Sequence, residues 1–412
     1  MNSLLINIDR LMGRIETLGE IGALDGGGVS RLALGDADKA GRDLVTGWMR
    51  DLGLKITIDQ IGNVLGIRAG SREGPPVLIG SHIDTVATGG LYDGNLGVLA
   101  GLEVIETLND AGLTTTFAIG VGFFTNEEGA RFQPDMLGSG VHQGALSLEE
   151  CLSTKGIDGA TVGDELTRIG YAGDEPVNQM RARTYLELHV EQGPVLEEAG
   201  MTIGAVTGVQ GISWTEYTIN GTSNHAGTTP MRLRHDAGYA AAAIATEARR
   251  LALAMGGDQV ATCGVIELRP GLVNVIANEA KLTLDLRNTD EALLKEAESQ
   301  MAEFIRALAA NEGVEIKART LARFEPVAFD PEVVDRVEKT AALLGKSVRR
   351  MPSGAGHDAQ MFAPNCPTGM IFVPSKDGIS HNIREYTQPK DIQAGANVLL
   401  HTALSFTGTE SP

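Results

Sequence analysis

The stretch Pro76-Val77-Leu78-Ile79-Gly80-Ser81-His82-Ile83-Asp84 decides how this chain is read. A short apolar run, Val77 to Ile79, stops just before a histidine, as a buried parallel strand does when it delivers polar side chains at its carboxyl end. The arrangement recurs. Phe117 to Thr125 leads into Asn126-Glu127-Glu128-Gly129, Tyr185 to Val190 carries His189, and Met370 to Val373 precedes His381. Between the first two runs, Leu96, Leu99, Leu102, Ile105 and Leu108 fall at helical spacing, closed by Gly112. Strands alternating with helices predict an α/β domain with a mostly parallel sheet. Sites in such sheets gather outside the carboxyl ends of the strands.

Near Val209 the pattern changes. A strand over Ile212 to Asn220, an alanine-rich helix from about Asp236 to Ala254 and strands over Val260 to Arg269 and Ala280 to Asn288 come next, with a tight turn expected between those two strands. A helix over Glu291 to Ala310 and a strand over Val314 to Leu321 complete a β-α-β-β-α-β order, the ferredoxin-like unit. The expectation is a large domain, residues 1–209 and 326–412, interrupted by a smaller insert, residues 210–325.

At 412 residues the chain exceeds the size at which one hydrophobic core stops growing. Its net charge of −19 leaves no basic stripe for phosphates, which argues against nucleic acid as a partner. Cys151, Cys263 and Cys366 form no CxxC pair and are expected to be buried, reduced thiols. The start, Met1 to Arg10, lacks the basic and long apolar regions of a signal peptide, and no segment approaches a membrane span. These features predict a cytoplasmic protein that handles small molecules.

The chemistry lies in the strand-end residues. His82, Asp93, the pair Glu127-Glu128, His189 and His381 offer imidazoles and carboxylates, ligand types that suit zinc and its first-row neighbours. Each has a plainer reading alone: Asp93 as a helix cap beside Gly94, Glu127-Glu128 as a solvated pair, each histidine as a core or surface group. Their joint occurrence at strand ends is harder to explain so. Adjacent carboxylates point in different directions, so one can bind metal while the other faces water. Two like charges this close also need cations to offset them. Positions i and i+2 of a strand point the same way, which predicts that the Asp84 carboxylate orients the His82 imidazole.

Five segments together resemble one family: Gly80 to Val86, Leu188 to Pro194, Asn224 to Met231, Ser353 to Ala359 and Ile379 to Asn382. It comprises the N-carbamoyl-L-amino-acid hydrolases, with allantoate amidohydrolases and β-ureidopropionases, in the dinuclear M20 metallopeptidase superfamily. The resemblance covers nearly the whole chain and implies that the large domain is catalytic and the insert a lid or dimerisation domain. It implies two divalent ions per subunit (Zn, Mn, Co or Ni), with His82 and His381 on separate ions, Asp93 bridging, and Glu128 and His189 one on each. It further implies Glu127 as general base, Gln192, Asn274, Arg287 and the Gly356 backbone as binders of a ureido substrate bearing a carboxylate, and His225 as oxyanion stabiliser reaching from a neighbouring subunit of a homodimer.

Some of this has independent support. Alternation in Lys281 to Arg287 puts Leu282, Leu284 and Leu286 on one face and Arg287 on the other, where its fork of donors suits a carboxylate. Asn274, amid apolar neighbours, needs a partner there. The activity expected from the resemblance is hydrolysis of the ureido C–N bond of an N-carbamoyl-L-amino acid, with allantoate amidohydrolase or β-ureidopropionase as the alternative and a dipeptidase or aminoacylase using the same metals as a more distant one. A metal-stabilised scaffold is disfavoured by the spare acid Glu127 beside Glu128. The chain has no G-x-S-x-G elbow, and Gly354-Ala355-Gly356 is too short for a dinucleotide loop.

Overall fold

The computed structural model describes residues 4–178 and 181–409, so the first three residues of the N-terminal stretch lie outside the described residues. The chain forms two compact units, one made of the residues up to Gly208 and from Ala328 onward, the other of Val209–Val327. In chain order the first unit contributes β1 (Lys55–Ile58), β2 (Val64–Arg68), β3 (Val77–His82), β4 (Ile119–Phe124), β5 (Thr184–Val190) and β6 (Ile203–Val209). The second contributes β7 (Gly211–Asn220), β8 (Val260–Thr262), β9 (Ile266–Arg269), β10 (Glu279–Asn288) and β11 (Glu315–Phe324). The short β12 (Val327–Ala328), β13 (Val348–Ser353) and β14 (Thr368–Val373) come last.

The large sheet runs β1-β2-β4-β3-β5-β14-β6-β12, with β13 also on β6. Its centre is parallel: β3 pairs β4 and β5, and β5 pairs β14, all in parallel register. Antiparallel strands flank it, β2 against β4 and β6 against β14. The mostly parallel α/β sheet read from the sequence is therefore present, and the four strands that end near the motif residues are its four neighbouring central strands. That adjacency puts every strand-end motif on one edge. All of β3, β4, β5 and β14 is buried, as a sheet covered on both faces requires.

The helix Asn95–Asp110 covers one face of this centre and is buried along most of its length. It can lie close because Gly97 has no side chain: a Cβ there would stand 2.6 Å from the Leu188 carbonyl oxygen and 2.9 Å from the Ser81 Cβ. Among the described residues no helix is long and apolar enough to cross a membrane.

The second unit has the expected β-α-β-β-α-β order, with antiparallel sheet order β11-β7-β10-β8 and β9 also on β10. Its helices, Ala237–Met255 and Glu291–Glu312, cover one face, where Leu282, Leu284 and Leu286 meet Ala240, Ile244, Met301 and Ile305. Two details differ from expectation. Val260 to Arg269 is two strands rather than one, because the chain leaves the ladder at Gly264 and Val265 N donates to the Thr283 hydroxyl. The connection from β9 to β10 is residues 270–278, not a tight turn. Its polar groups are satisfied elsewhere: the Asn274 carbonyl accepts from Ala226 N and Ile276 N donates to the Asn224 carbonyl. The cysteines are free, but only Cys151 is fully buried; Cys263 and Cys366 are half-buried.

Candidate metal centre

His82 closes β3, and the chain then turns so that the Asp84 carbonyl oxygen lies 2.9 Å from His82 Nδ1. A carbonyl only accepts, so Nδ1 carries the proton and the Nε2 lone pair faces outward. His189, in β5, is set the same way: its Nδ1 donates to the Val190 carbonyl at 2.8 Å. Both rings thus hold the tautomer that binds a cation through Nε2.

Asp93 stands between two groups of donors. Its Oδ1 is 3.2 Å from His189 Nε2 and 3.6 Å from His82 Nε2. Its Oδ2 is 3.4 Å from His381 Nε2, which in turn lies 3.2 Å from Glu128 Oε2. His82, Asp93 and His189 form one group that could hold a cation, and Asp93, Glu128 and His381 another. Two atoms each about 2.1 Å from a tetrahedral cation lie about 3.4 Å apart, which is the spacing these pairs show. The donor set, its tautomers and its spacing all fit divalent metal. A further grouping, Glu187, His189 and His357, shares His189, whose Nε2 already faces Asp93, and forms the floor of the same site.

Asp93 is not a helix cap. The cap of Asn95–Asp110 is Gly94, at φ +65 and with no side-chain cap bond. That position needs glycine twice over, for its left-handed backbone and because a Cβ would strike the His82 ring.

The paired glutamates diverge as their adjacency predicted. Glu127 Oε2 lies 3.3 Å from His82 Nε2, whereas Glu128 faces His381. Burial pushes the Glu127 carboxyl up; His82 opposes this, and Asp358, Glu128 and Asp93 reinforce it, leaving Glu127 well above the usual carboxylate range. Burial also pushes Asp93 up, but His189, His381 and His82 outweigh it and hold Asp93 well below that range. Two carboxylates in one cleft therefore have opposite tendencies, one to hold a proton and one to stay charged.

The role expected of the Asp84 carboxylate is overturned. The Asp84 carboxylate does not touch the His82 ring; its Oδ1 and Oδ2 accept from the amides of Glu127 and Glu128, each at 3.3 Å. The same-face rule holds only while the strand continues, and β3 ends at His82. Burial raises the Asp84 carboxyl to about 6.

Gln192, at φ +61, donates its Nε2 to Asp93 Oδ2 at 2.8 Å and lies in the cleft with Glu127, Glu128, His381 and the Gly356 backbone. The structure therefore brings His82, Asp93, Glu127, Glu128, His189, Gln192, Gly356 and His381 together. His225, Asn274 and Arg287 lie in the other unit. His225 is an exposed turn residue whose Nδ1 accepts from Gly227 N at 3.0 Å and Thr228 N at 3.2 Å. Those amides leave Nε2–H as the free donor of the neutral ring. Asn274 is exposed, as are Leu272 and Val273, so it is not the buried polar group its neighbours suggested; its main chain sits beside His225, through the bridge His225–Val275. Arg287 is on the face opposite the leucines, paired with Asp285 at 3.0 Å and over the Trp214 ring at 5.6 Å.

Sequence reasoning missed three groups. Glu187 accepts from Ser81 Oγ at 2.8 Å and Ala359 N at 2.9 Å beneath the site. Asp358 is fully buried close to Glu127, and burial, with Glu187, raises it to about 8. Glu385 supports the Asp93 turn from behind. Only Glu187, a charge inside an otherwise apolar strand, carried a readable signal.

Residues 78–405 match the family described as Peptidase family M20/M25/M40. An N-carbamoyl-L-amino-acid amidohydrolase of Rhizobium meliloti is 40% identical over 400 residues, covering 97% of this chain and 96% of the relative. An allantoate amidohydrolase of Escherichia coli is 36% identical over 386 residues, covering 93% of this chain and 94% of the relative. A crystal structure of an amidase of the hydantoinase/carbamoylase family from Burkholderia multivorans superposes with a TM-score of 0.96 at 45% identity, covering 98% of this chain and 99% of that one.

Proposed function

Since the chain belongs to peptidase family M20/M25/M40 and to its hydantoinase/carbamoylase branch, and is a hydrolase of amide bonds, we propose that it cleaves the ureido C–N bond of an N-carbamoyl-L-amino acid. Water enters, and the free amino acid, carbon dioxide and ammonia leave. The observation that carries this reading is Asp93, whose two carboxylate oxygens face two separate sets of imidazole and carboxylate donors beside the acid Glu127.

His82 and His189 would hold one divalent ion, His381 and Glu128 a second, and Asp93 both. Zinc, manganese, cobalt and nickel all accept these donors. Such ions lower the pKa of water toward neutrality and polarise a carbonyl oxygen. Glu127 takes the proton of the attacking water and returns it to the leaving nitrogen, a task suited to a carboxyl raised above its ordinary range. His225 offers its Nε2–H to the oxygen on which charge develops. Arg287, Asn274, Gln192 and the Gly356 backbone bind the substrate, with Arg287 exchanging Asp285 for the substrate carboxylate. The insert that carries His225, Asn274 and Arg287 serves as lid and dimerisation unit of a cytoplasmic homodimer. Asp84 acts on catalysis through the amides of the paired glutamates.

Allantoate is the second reading, because the Escherichia coli relative is named for that activity and matches over nearly the whole chain. The test is ammonia release by metal-reconstituted protein from N-carbamoyl-L-amino acids, allantoate and β-ureido acids, with dipeptides and N-acyl amino acids as controls. Preferential turnover of N-carbamoyl-L-amino acids is expected. Cleavage of dipeptides alone would overturn the proposal.

A further inference from the structure

Asp93 can face two donor sets only if its carboxylate is held in one orientation, and the helix Asn95–Asp110 does not hold it, since its cap is Gly94. Gln192 Nε2 holds Oδ2 from one side, and a second restraint comes from the far end of the chain. Glu385 Oε1 accepts from Tyr92 N at 3.0 Å and Asp93 N at 3.1 Å. Ser380 Oγ lies 2.8 Å from Glu385 Oε2 and 3.0 Å from Asp93 Oδ2. Glu385 N in turn donates to the Asn382 carbonyl, closing the turn just after His381. The acid is 6% exposed, and a Cβ at Gly90 would collide with it, so the loop before Asp93 is moulded around this carboxyl group.

We propose that Glu385, acting with Ser380, is a positioning residue that clips the Asp93 turn to the His381 loop, so that one carboxylate serves both cation positions. This rests on Asp93 being the shared ligand. Neither group takes a direct part in the proposed hydrolysis. Without Glu385 two buried amides lose their acceptor, and the Ser380 hydroxyl beside Asp93 Oδ2 loses the carboxylate that holds it in place. Outer contacts of this kind typically alter metal affinity by about 10–100-fold.

The test is titration of the metal-free full-length protein with Co2+, monitored by visible absorption and by metal content after dialysis. Wild type should bind two equivalents. Glu385→Ala should bind about 10–100-fold more weakly. Glu385→Gln, which keeps an acceptor for the two amides and sets an amide nitrogen beside the Ser380 oxygen, leaving its hydroxyl proton for Asp93, should bind nearly as wild type does. Ser380→Ala should weaken chiefly the equivalent on the His381 side, with the melting temperature of the metal-free protein unchanged, and it carries the test if Glu385→Ala does not fold. Should wild type bind no Co2+, the metal reading falls and this inference with it. Should wild type bind two while Ser380→Ala and folded Glu385→Ala match it, this inference alone is overturned.

Discussion

His82 Nδ1 lies 2.9 Å from the main-chain oxygen of Asp84, while the carboxylate of that same aspartate turns away to the amides of Glu127 and Glu128. One residue therefore positions the imidazole with its backbone and the paired glutamates with its side chain. Asp84→Asn should leave His82 in place yet set an amide nitrogen against an N–H donor. Metal content should be retained, and kcat should fall by about 10–100-fold, the usual size for a supporting contact. Loss of bound metal in this variant would show that the carboxylate does orient His82.

Glu127→Gln keeps the volume of the side chain but cannot take a proton. We expect kcat to drop by about 10²–10⁴-fold, with KM and metal content close to wild type. Steady-state kinetics beside elemental analysis decides the matter; near-normal turnover would place the base elsewhere.

The Nδ1 of His225 is occupied by two backbone amides, so only Nε2 can donate outward. Removing that donor in His225→Ala should cost about 10²–10³-fold in kcat. Because the ring is exposed, thermal stability and metal content should not move. A change in KM alone would mark His225 as a binding group rather than an oxyanion donor.

Arg287 already pairs with a carboxylate, that of Asp285 at 3.0 Å, on the solvent face of its sheet. Arg287→Ala should raise KM for a ureido acid by about 10–100-fold, as expected for loss of a charge-assisted hydrogen bond. The corresponding carboxamide should be turned over alike by wild type and variant. Equal losses on both substrates would remove Arg287 from carboxylate recognition.

Stability against acid should depend on Glu165, which is 7% exposed and bonds Arg168 and Arg131. Arg168 lowers its pKa against the opposing effect of burial, and Arg131 adds to the lowering. A carboxyl depressed in the folded state adds stability above its unfolded pKa of about 4.3 and loses it as pH falls through the folded value. Glu165→Gln should cost about 1–3 kcal/mol at pH 7 in the metal-free protein, and the gap to wild type should close toward pH 3. Melting curves across that range test the sign; a gap that widened on acidification would refute it.

Much of the site was legible because a parallel sheet repeats one rule. The apolar runs that lead to His82, Glu127 and His189 read as buried strands, and buried parallel strands deliver the residues at their carboxyl ends to a common edge. The alternation of Leu282, Leu284 and Leu286 likewise predicted the faces of β10 correctly. Asn274 was misread because its apolar neighbours Leu272 and Val273 are themselves exposed, and composition cannot tell an exposed apolar loop from a core strand.

The amino-acid sequence by itself determined which donors exist and that they come from neighbouring strand ends, since period and burial are local properties of the chain. Only the tertiary structure decided that Asp93 turns its two oxygens to different histidines, that Asp84 reaches the glutamates and not His82, and that Glu385 closes on a loop 292 residues away. Those outcomes depend on how the chain turns after each strand stops, where no periodicity constrains side-chain direction and packing against distant segments takes over.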